Sequence, residues 1–160
     1  MHRLIETTAG DPAATDLFAL QEADLLARYG GDDTGPRPPA DAPTLLLEVD
    51  GGLVGCVALA VEDGIGEIKR MFVVSAARGR GLSRVLLAGV ERLAAREGVE
   101  LLRLVTGTEQ PEAMALYASA GYDPIAGYGY WGDEPSAATR SGSTARRCSP
   151  TRADAGLTPG

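Results

Sequence analysis

The chain has 160 residues, of which 44% are hydrophobic, and this is enough for one domain with a sizeable core. The formal net charge is −7, and residues 1–135 carry 21 acidic against 11 basic side chains. An acidic domain argues against nucleic acid as a partner and mildly favours cationic substrates such as amines. No apolar run approaches the roughly 20 residues of a membrane helix, and the N-terminus lacks a secretory signal. We therefore expect a cytoplasmic protein with no membrane partner.

The few histidine and cysteine residues restrict the chemistry further. With His2 as the only histidine, neither a Cys/His zinc site nor a Ser-His-Asp triad can be assembled, and we expect no metal. Cys56 lies in an apolar segment and Cys148 in a polar one. A structural disulfide is therefore not expected, in keeping with a reducing compartment.

Hydrophobic periodicity and turn residues predict alternating strands and helices. In chain order they are strand 3–7, helix 15–28, hairpin strands 44–49 and 53–61, strand 67–74, helix 82–97, strand 101–106, helix 111–120 and strand 122–131. Antiparallel strands followed by a β-α-β-α-β series predict an α/β fold with a mixed, mostly antiparallel central sheet flanked by helices.

The loop between strand 67–74 and helix 82–97 is the most informative segment. Its glycines, Gly79 and Gly81, permit positive φ angles and close approach of a ligand to the backbone. The first N–H groups of the following helix have no internal partner, and the helix dipole adds positive charge there. Three arginines suited to phosphate surround the loop, namely Arg78, Arg80 and Arg84. These features predict a diphosphate site.

The loop matches neither of two common nucleotide-binding motifs. A dinucleotide fingerprint requires a third glycine where Arg84 stands, and a nucleoside-triphosphate loop requires Gly-Lys-Ser/Thr, which the chain lacks. Taken alone, the loop could also be a plain strand-to-helix turn that uses glycine for its geometry.

Three motifs, in one order and spacing, resemble the GNAT acetyltransferase superfamily. Residues 78–83, Arg-Gly-Arg-Gly-Leu-Ser, resemble its Q/R-x-x-G-x-G/A loop, which binds the pyrophosphate of acetyl-CoA. Residues 67–73 resemble its fourth strand, and residues 113–122 resemble a helix that carries a tyrosine and ends in a glycine-aromatic pair. Ser83 departs from the usual Gly or Ala, but serine is small and can cap a helix start, so we expect it to be tolerated.

This resemblance implies acetyl-CoA as cosubstrate and a set of residues that bind it. Backbone groups of Met71, Phe72 and Val73 are expected to hydrogen-bond the pantetheine arm as an added strand would. The residues expected at the pyrophosphate are Arg78, Gly79, Arg80, Gly81, Leu82, Ser83 and Arg84. Gln110 is expected to reach the cofactor from the loop before helix 111–120. Thr106, Thr108 and Glu109 are expected to line the same end of the sheet, within reach of the substrate.

The resemblance also implies a catalytic pair. Acyl transfer to an amine needs a base for the amine and a proton donor for the leaving sulfur. Glu67, four residues before Met71, corresponds to the family's general base, and Tyr117 to its general acid. The alternatives are a solvated carboxylate at a strand end and a packing tyrosine. Tyr128 and Trp131 are interpreted as core or pocket wall.

The implied activity is transfer of an acetyl group from acetyl-CoA to an amine of a small molecule or peptide. Two alternatives stay open: a CoA-binding regulatory or pseudo-catalytic module without turnover, and transfer of a longer acyl group. The acceptor pocket is expected to involve the first helix, the loop 32–43 and the last strands, which carry no motif. A homodimer is also considered.

The C-terminal segment departs from the resemblance, which calls for one more strand after Trp131. Residues 136–160 are polar without an alternating apolar pattern, so we predict a disordered tail after a domain of residues 1–135 and a missing last strand. A native extension is one explanation. The other is a frameshift near Pro135, because GC-rich codons for 136–143 read one base out of register admit Arg-Cys-Tyr-Ala-Phe-Arg-Leu. The gene's nucleotide sequence separates the two.

Overall fold

The computed structural model describes residues 1–30, 35–105, 111–128 and 136–140. Its elements are β1 (His2–Thr8), α1 (Pro12–Tyr29), β2 (Pro43–Val49), β3 (Gly52–Glu62), β4 (Ile65–Val73), α2 (Leu82–Arg96), β5 (Leu101–Val105), α3 (Pro111–Ser119), β6 (Asp123–Ile125) and β7 (Ser136–Arg140). The strands form one sheet in the order β1-β2-β3-β4-β5-β7-β6. All neighbouring pairs are antiparallel except β4 and β5. The predicted mixed, mostly antiparallel α/β fold is therefore confirmed.

Local sequence signals set most element ends. Asp11 caps α1 by accepting the Ala13 N–H at 2.9 Å, and Gly30 ends the helix in the left-handed conformation. The β2–β3 hairpin turns at Asp50 and Gly51, which both have positive φ angles. The predicted helices and hairpin strands agree with the observed ones to within a few residues.

The helices cover the two faces of the sheet unequally. Leu86, Val90 and Leu93 of α2 pack with Tyr117 of α3 in the larger core, on the face to which Ile68 points. Phe18 of α1 packs in a smaller core on the opposite face. In the described part of the chain, no helix is long and apolar enough to cross a membrane.

Strands β4 and β5 separate after a short parallel contact. Their ladder joins Ile65 to Leu101, Gly66 to Leu102 and Glu67 to Arg103, and it extends no further among the described residues. Beyond Glu67, β4 pairs with β3, while Leu104 and Val105 of β5 pair with β7. The two strands thus diverge toward the end of β4 that leads into the glycine loop.

The prediction of a missing last strand is wrong for residues 136–140. Ser136–Arg140 form β7, which lies between β5 and β6 and pairs with both. A central strand gains hydrogen bonds on both edges, and Ala138 and Thr139 are small enough to be buried there, so an apolar alternation is not required. Strand β6 is also shorter than the predicted strand 122–131. Residues 141–160 lie outside the described residues, and the domain boundary stays a prediction.

Candidate active site

The glycine loop presents an open backbone surface at the start of α2. A 3-10 turn, Ser75–Ala77, leads from β4 into the loop, where Gly79 and Gly81 have φ angles of 81° and 74°. A Cβ atom added at either glycine would meet nothing within 4 Å. Gly81 is the N-cap of α2, and no side chain among the described residues caps the helix. The first N–H groups of α2 therefore face open space, as binding of an anionic diphosphate requires.

The three loop arginines differ in their contacts. The Nε atom of Arg78 donates to the Val73 carbonyl at 2.9 Å, and its Nη2 lies 3.4 Å from Asp24 Oδ2. Arg84 donates to Ser119 Oγ at 2.9 Å, which links α2 to α3. Arg80 is exposed and forms no ion pair in the described part of the chain. Of the three guanidinium groups, that of Arg80 is therefore the one available to a phosphate without breaking an existing contact.

A β-bulge interrupts β4 where it separates from β5. Its pairing with β3 shifts by one residue, and Arg70 in the bulge has a φ angle of 55°. The Arg70 side chain is buried against α1, with Nη1 3.1 Å from Glu22 Oε2 and Nη2 donating to the Gly35 carbonyl at 3.0 Å. Arg37 binds the same carboxylate through two hydrogen bonds of 2.7 and 2.8 Å. This network holds a non-glycine residue in a conformation that costs free energy.

Two backbone carbonyls of the separating part of β4 already accept hydrogen bonds from side chains, and the role of Met71, Phe72 and Val73 toward the pantetheine arm stays a prediction. The Gln21 amide donates to the Met71 carbonyl at 3.2 Å, and the Val73 carbonyl accepts from Arg78. Gln21 lies on α1 and Arg78 lies at the start of the glycine loop. Sequence patterns do not predict these two hydrogen bonds. The Gln21–Met71 contact spans 50 positions, and the Arg78–Val73 contact depends on the path of the loop after β4.

Glu67 lies at the last ladder position between β4 and β5. Its carboxylate is half-buried, and Oε2 is 3.8 Å from Lys69 Nζ on the same strand. Ile68 belongs to the α2 core, so Glu67 and Lys69 lie on the opposite face of the sheet. There, burial raises the pKa of Tyr128, and the nearby Glu67 charge raises it further. The carboxylate thus sits among polar groups rather than at a fully solvated turn.

Tyr117 is buried under the separating part of β4. Its hydroxyl donates to Met71 Sδ at 3.7 Å, and its ring makes an edge contact with Tyr122 at a centroid distance of 5.5 Å. Tyr122 in turn donates to Glu91 at 2.7 Å. Burial, followed by the charge of Glu91, raises the pKa of Tyr117, so its hydroxyl keeps its proton at neutral pH.

The structure thus brings together the loop, the bulge and Tyr117 around the gap between β4 and β5. Glu67 lies at the end of the gap where β4 and β5 are still paired. Gln110 and Trp131, together with residues 106–109, lie outside the described residues. Sequence reasoning missed Arg70, Gln21 and Arg103. Only the presence of a single arginine within each of the two strands β4 and β5 could have drawn attention to the first and last.

The acetyltransferase (GNAT) family model matches residues 9–122. The chain belongs to this family, and the expected family resemblance is confirmed. A relative from Azospirillum brasilense, an IAA acetyltransferase, is 39% identical over 128 residues, which cover 72% of this chain and 84% of the relative. The family and the relative's name support an acyltransferase.

Solved structures agree with this fold. A Klebsiella pneumoniae protein assigned as an acyl-CoA N-acyltransferase superposes with a TM-score of 0.76 at 27% identity, covering 88% of this chain and 98% of that chain. N-acetylglutamate synthase from Neisseria gonorrhoeae, solved with coenzyme A and N-acetyl-glutamate, gives a TM-score of 0.66 at 19% identity, covering 87% of this chain and 35% of that chain.

Proposed function

We propose that the protein transfers an acetyl group from acetyl-CoA to an amine of a small molecule or peptide. The observation that carries this proposal is the open glycine loop at the uncapped start of α2, next to the gap between β4 and β5. A diphosphate fits this loop because Gly79 and Gly81 leave space, and because unpaired N–H groups and Arg80 supply donors. Acetyl-CoA supplies the acetyl group as a thioester, whose carbon–sulfur bond is exchanged for a carbon–nitrogen bond to the amine.

In this proposal Glu67 acts as the base. A protonated amine has no lone pair with which to attack, so a proton must leave the nitrogen before or during the reaction. The Glu67 carboxylate accepts that proton, directly or through one water. Lys69 Nζ lies 3.8 Å from this carboxylate on the same strand.

Tyr117 acts as the proton donor for the departing sulfur. Its hydroxyl is protonated at neutral pH, and its present acceptor is a thioether, which is a weak one. Little free energy is therefore needed for the Tyr117 hydroxyl to leave the Met71 sulfur and donate to the more basic sulfur of the departing thiolate. Conversion of an ammonium group to an amide removes two protons from the nitrogen. The first goes to Glu67 before attack and then to water, and the second, lost after attack, replaces through solvent the proton that Tyr117 gives to the departing sulfur, so one proton is released per turnover.

The pH dependence of a Glu67→Gln variant tests the base assignment. We expect amine-dependent release of the CoA thiol to fall by about a hundredfold, with the largest deficit at low pH, where more of the amine is protonated. Glu97→Gln, which removes an exposed carboxylate after α2, is the matched control and should behave as wild type. Equal rates for Glu67→Gln and wild type at every pH would remove Glu67 from the mechanism.

The second candidate is a module that binds CoA without turnover. The burial of the Tyr117 hydroxyl favours it, since the hydroxyl has little solvent contact. Cofactor-induced stabilisation with no thiol release for any amine would select this alternative. Comparison of acetyl-CoA with longer acyl-CoA thioesters tests the remaining alternative, transfer of a longer acyl group.

A further inference from the structure

Arg103 of β5 and Tyr128 after β6 form a stacked pair. The Arg103 guanidinium carbon lies 3.8 Å from the centroid of the Tyr128 ring. The buried Nε atom of Arg103 makes no hydrogen bond within the described ranges, whereas the buried Tyr128 hydroxyl has the Glu67 carboxylate as a neighbouring acceptor. A buried donor without an acceptor is costly and uncommon, so the Arg103 Nε atom is a candidate contact for an acceptor group on a bound molecule.

This pair lies on the same face of the sheet as Glu67. Leu102 and Leu104 belong to the α2 core, so the residue between them, Arg103, points to the opposite face. Glu67 is its ladder partner and also points there. Burial raises the pKa of Tyr128, and the charge of the neighbouring Glu67 carboxylate raises it further. A molecule that approaches Glu67 on this face therefore approaches Arg103 as well.

The charge and shape of the cluster favour a planar anion. Glu67, Lys69 and Arg103 together carry one net positive charge in a chain whose formal charge is −7. The Tyr128 ring covers one face of the guanidinium and leaves the N–H groups at its edge. Those groups lie in one plane, which matches the two oxygens of a carboxylate.

We propose that Arg103, supported by Tyr128, binds a carboxylate of the acceptor, so that the acceptor is an amine that also carries a carboxylate group. Its amino group then lies toward Glu67 while its carboxylate meets the guanidinium. This inference rests on the proposed acetyl transfer and specifies its substrate class. Arg103 is a binding residue here and takes no part in proton transfer.

Paired acceptors test the proposal. A panel of L-amino acids and their carboxamides is compared by amine-dependent release of the CoA thiol, since each pair differs only in the negative charge. We expect kcat/KM to be higher for the free acids, and Arg103→Gln to reduce it for the acids by tenfold or more through KM, as expected for loss of a charge-assisted hydrogen bond of roughly 1.4 kcal/mol or more. The carboxamides should react at nearly unchanged rates.

Arg103→Lys and Arg92→Gln are the controls. Arg103→Lys keeps the charge but loses the planar donors, so it should recover part of the acid preference. Arg92 is exposed on α2, and its replacement by Gln changes the net charge equally without affecting the preference. An unchanged acetyl-CoA-induced melting shift in Arg103→Gln shows that the fold is intact. Equal kcat/KM for acids and carboxamides in the wild type would overturn the proposal.

A binding measurement tests the carboxylate subsite independently of acetyl transfer. If no amine is acetylated, calorimetric titration with the same amino acids and carboxamides still reports the subsite. Binding of the acids alone, lost in Arg103→Gln, would support the subsite while acetyl transfer fails. Absence of both turnover and carboxylate-dependent binding would overturn the subsite.

Discussion

The hydroxyl of Tyr117 points at the sulfur of Met71, with an Oη–Sδ distance of 3.7 Å. This contact joins α3 to the part of β4 that has separated from β5, and it spans 46 positions of the chain. A thioether competes weakly for a hydroxyl proton, so the tyrosine is held in place mainly by packing against Tyr122 and the core. The hydroxyl can therefore turn to another acceptor without rearranging α3.

Tyr117→Phe should lower kcat by about a hundredfold while leaving the affinity for acetyl-CoA nearly unchanged. The substitution keeps the ring and its packing, and it removes only the proton donor. Steady-state kinetics and cofactor titration measure the two quantities separately. A wild-type kcat in this variant would mean that the sulfur is protonated by another group or by water.

Gly81→Glu should abolish the stabilisation of the protein by acetyl-CoA. At a hundredfold excess over its Kd, a ligand stabilises the fold by about 2.7 kcal/mol, which corresponds to a rise in Tm of roughly 6–10 °C. The added carboxylate repels the anion at the start of α2. Gly81→Ala is the control, because it has the same strained φ angle but no charge, and the space around it is open. A full shift in Gly81→Glu would exclude this loop as the diphosphate site.

Glu22→Gln should destabilise the fold by about 3 kcal/mol at pH 7, because it removes the negative charge that lies 3.1 Å from the buried Arg70 guanidinium. Hydrogen bonding from Arg37, aided by the charges of Arg70 and Arg37, lowers the pKa of Glu22. Its stabilising contribution is therefore present above the unfolded pKa of about 4.3 and is lost as pH falls through the folded pKa.

Urea unfolding of wild type and Glu22→Gln should accordingly differ less at pH 3 than at pH 7. Asp16→Asn, an exposed change of the same charge on α1, should have little effect at either pH. A difference that does not depend on pH would mean that Glu22 acts through packing rather than through its charge.

Cys56 should make the protein less stable in alkaline solution. Its thiol is fully buried and donates to the Arg70 carbonyl at 3.3 Å, and burial raises its pKa to about 12. An unfolded thiol ionises near pH 8.5, so the stability falls as pH rises from there toward the folded pKa, by up to about 1.4 kcal/mol per pH unit.

The comparison with Cys56→Ala isolates this effect. Between pH 8.5 and about 9.5 most tyrosines remain protonated even in the unfolded chain, so the thiol dominates the slope in that window. Urea unfolding of the variant should show a smaller fall in stability across this range, whatever its stability at pH 7. Parallel curves for both proteins would contradict the assignment.

The fold and the glycine loop could be predicted from the sequence because both depend on local signals. Periodicity predicts α2, and a glycine at its start permits the left-handed cap that Gly81 adopts. The Arg70 bulge could not be predicted in this way. A positive φ angle at arginine has no local cause, and it is maintained by contacts with Glu22 and Gly35 that only the fold creates.

Two other features depended on tertiary pairing. Ser136–Arg140 lack apolar alternation, yet they form a strand because β5 and β6 supply backbone partners on both sides. Arg78 has the position of a phosphate ligand in the loop motif, but Asp24 of α1 competes for its guanidinium. In both cases the sequence specifies the groups, and their partners come from distant segments.

The most direct test of the account is the incubation of wild-type protein with acetyl-CoA and a panel of primary amines, with release of the CoA thiol and the mass of the product measured together. We expect thiol release that depends on the amine, accompanied by an acetylated amine, and strongest for amines that carry a carboxylate. Stabilisation of the protein by acetyl-CoA without acetylation of any amine would contradict the account and leave a CoA-binding module.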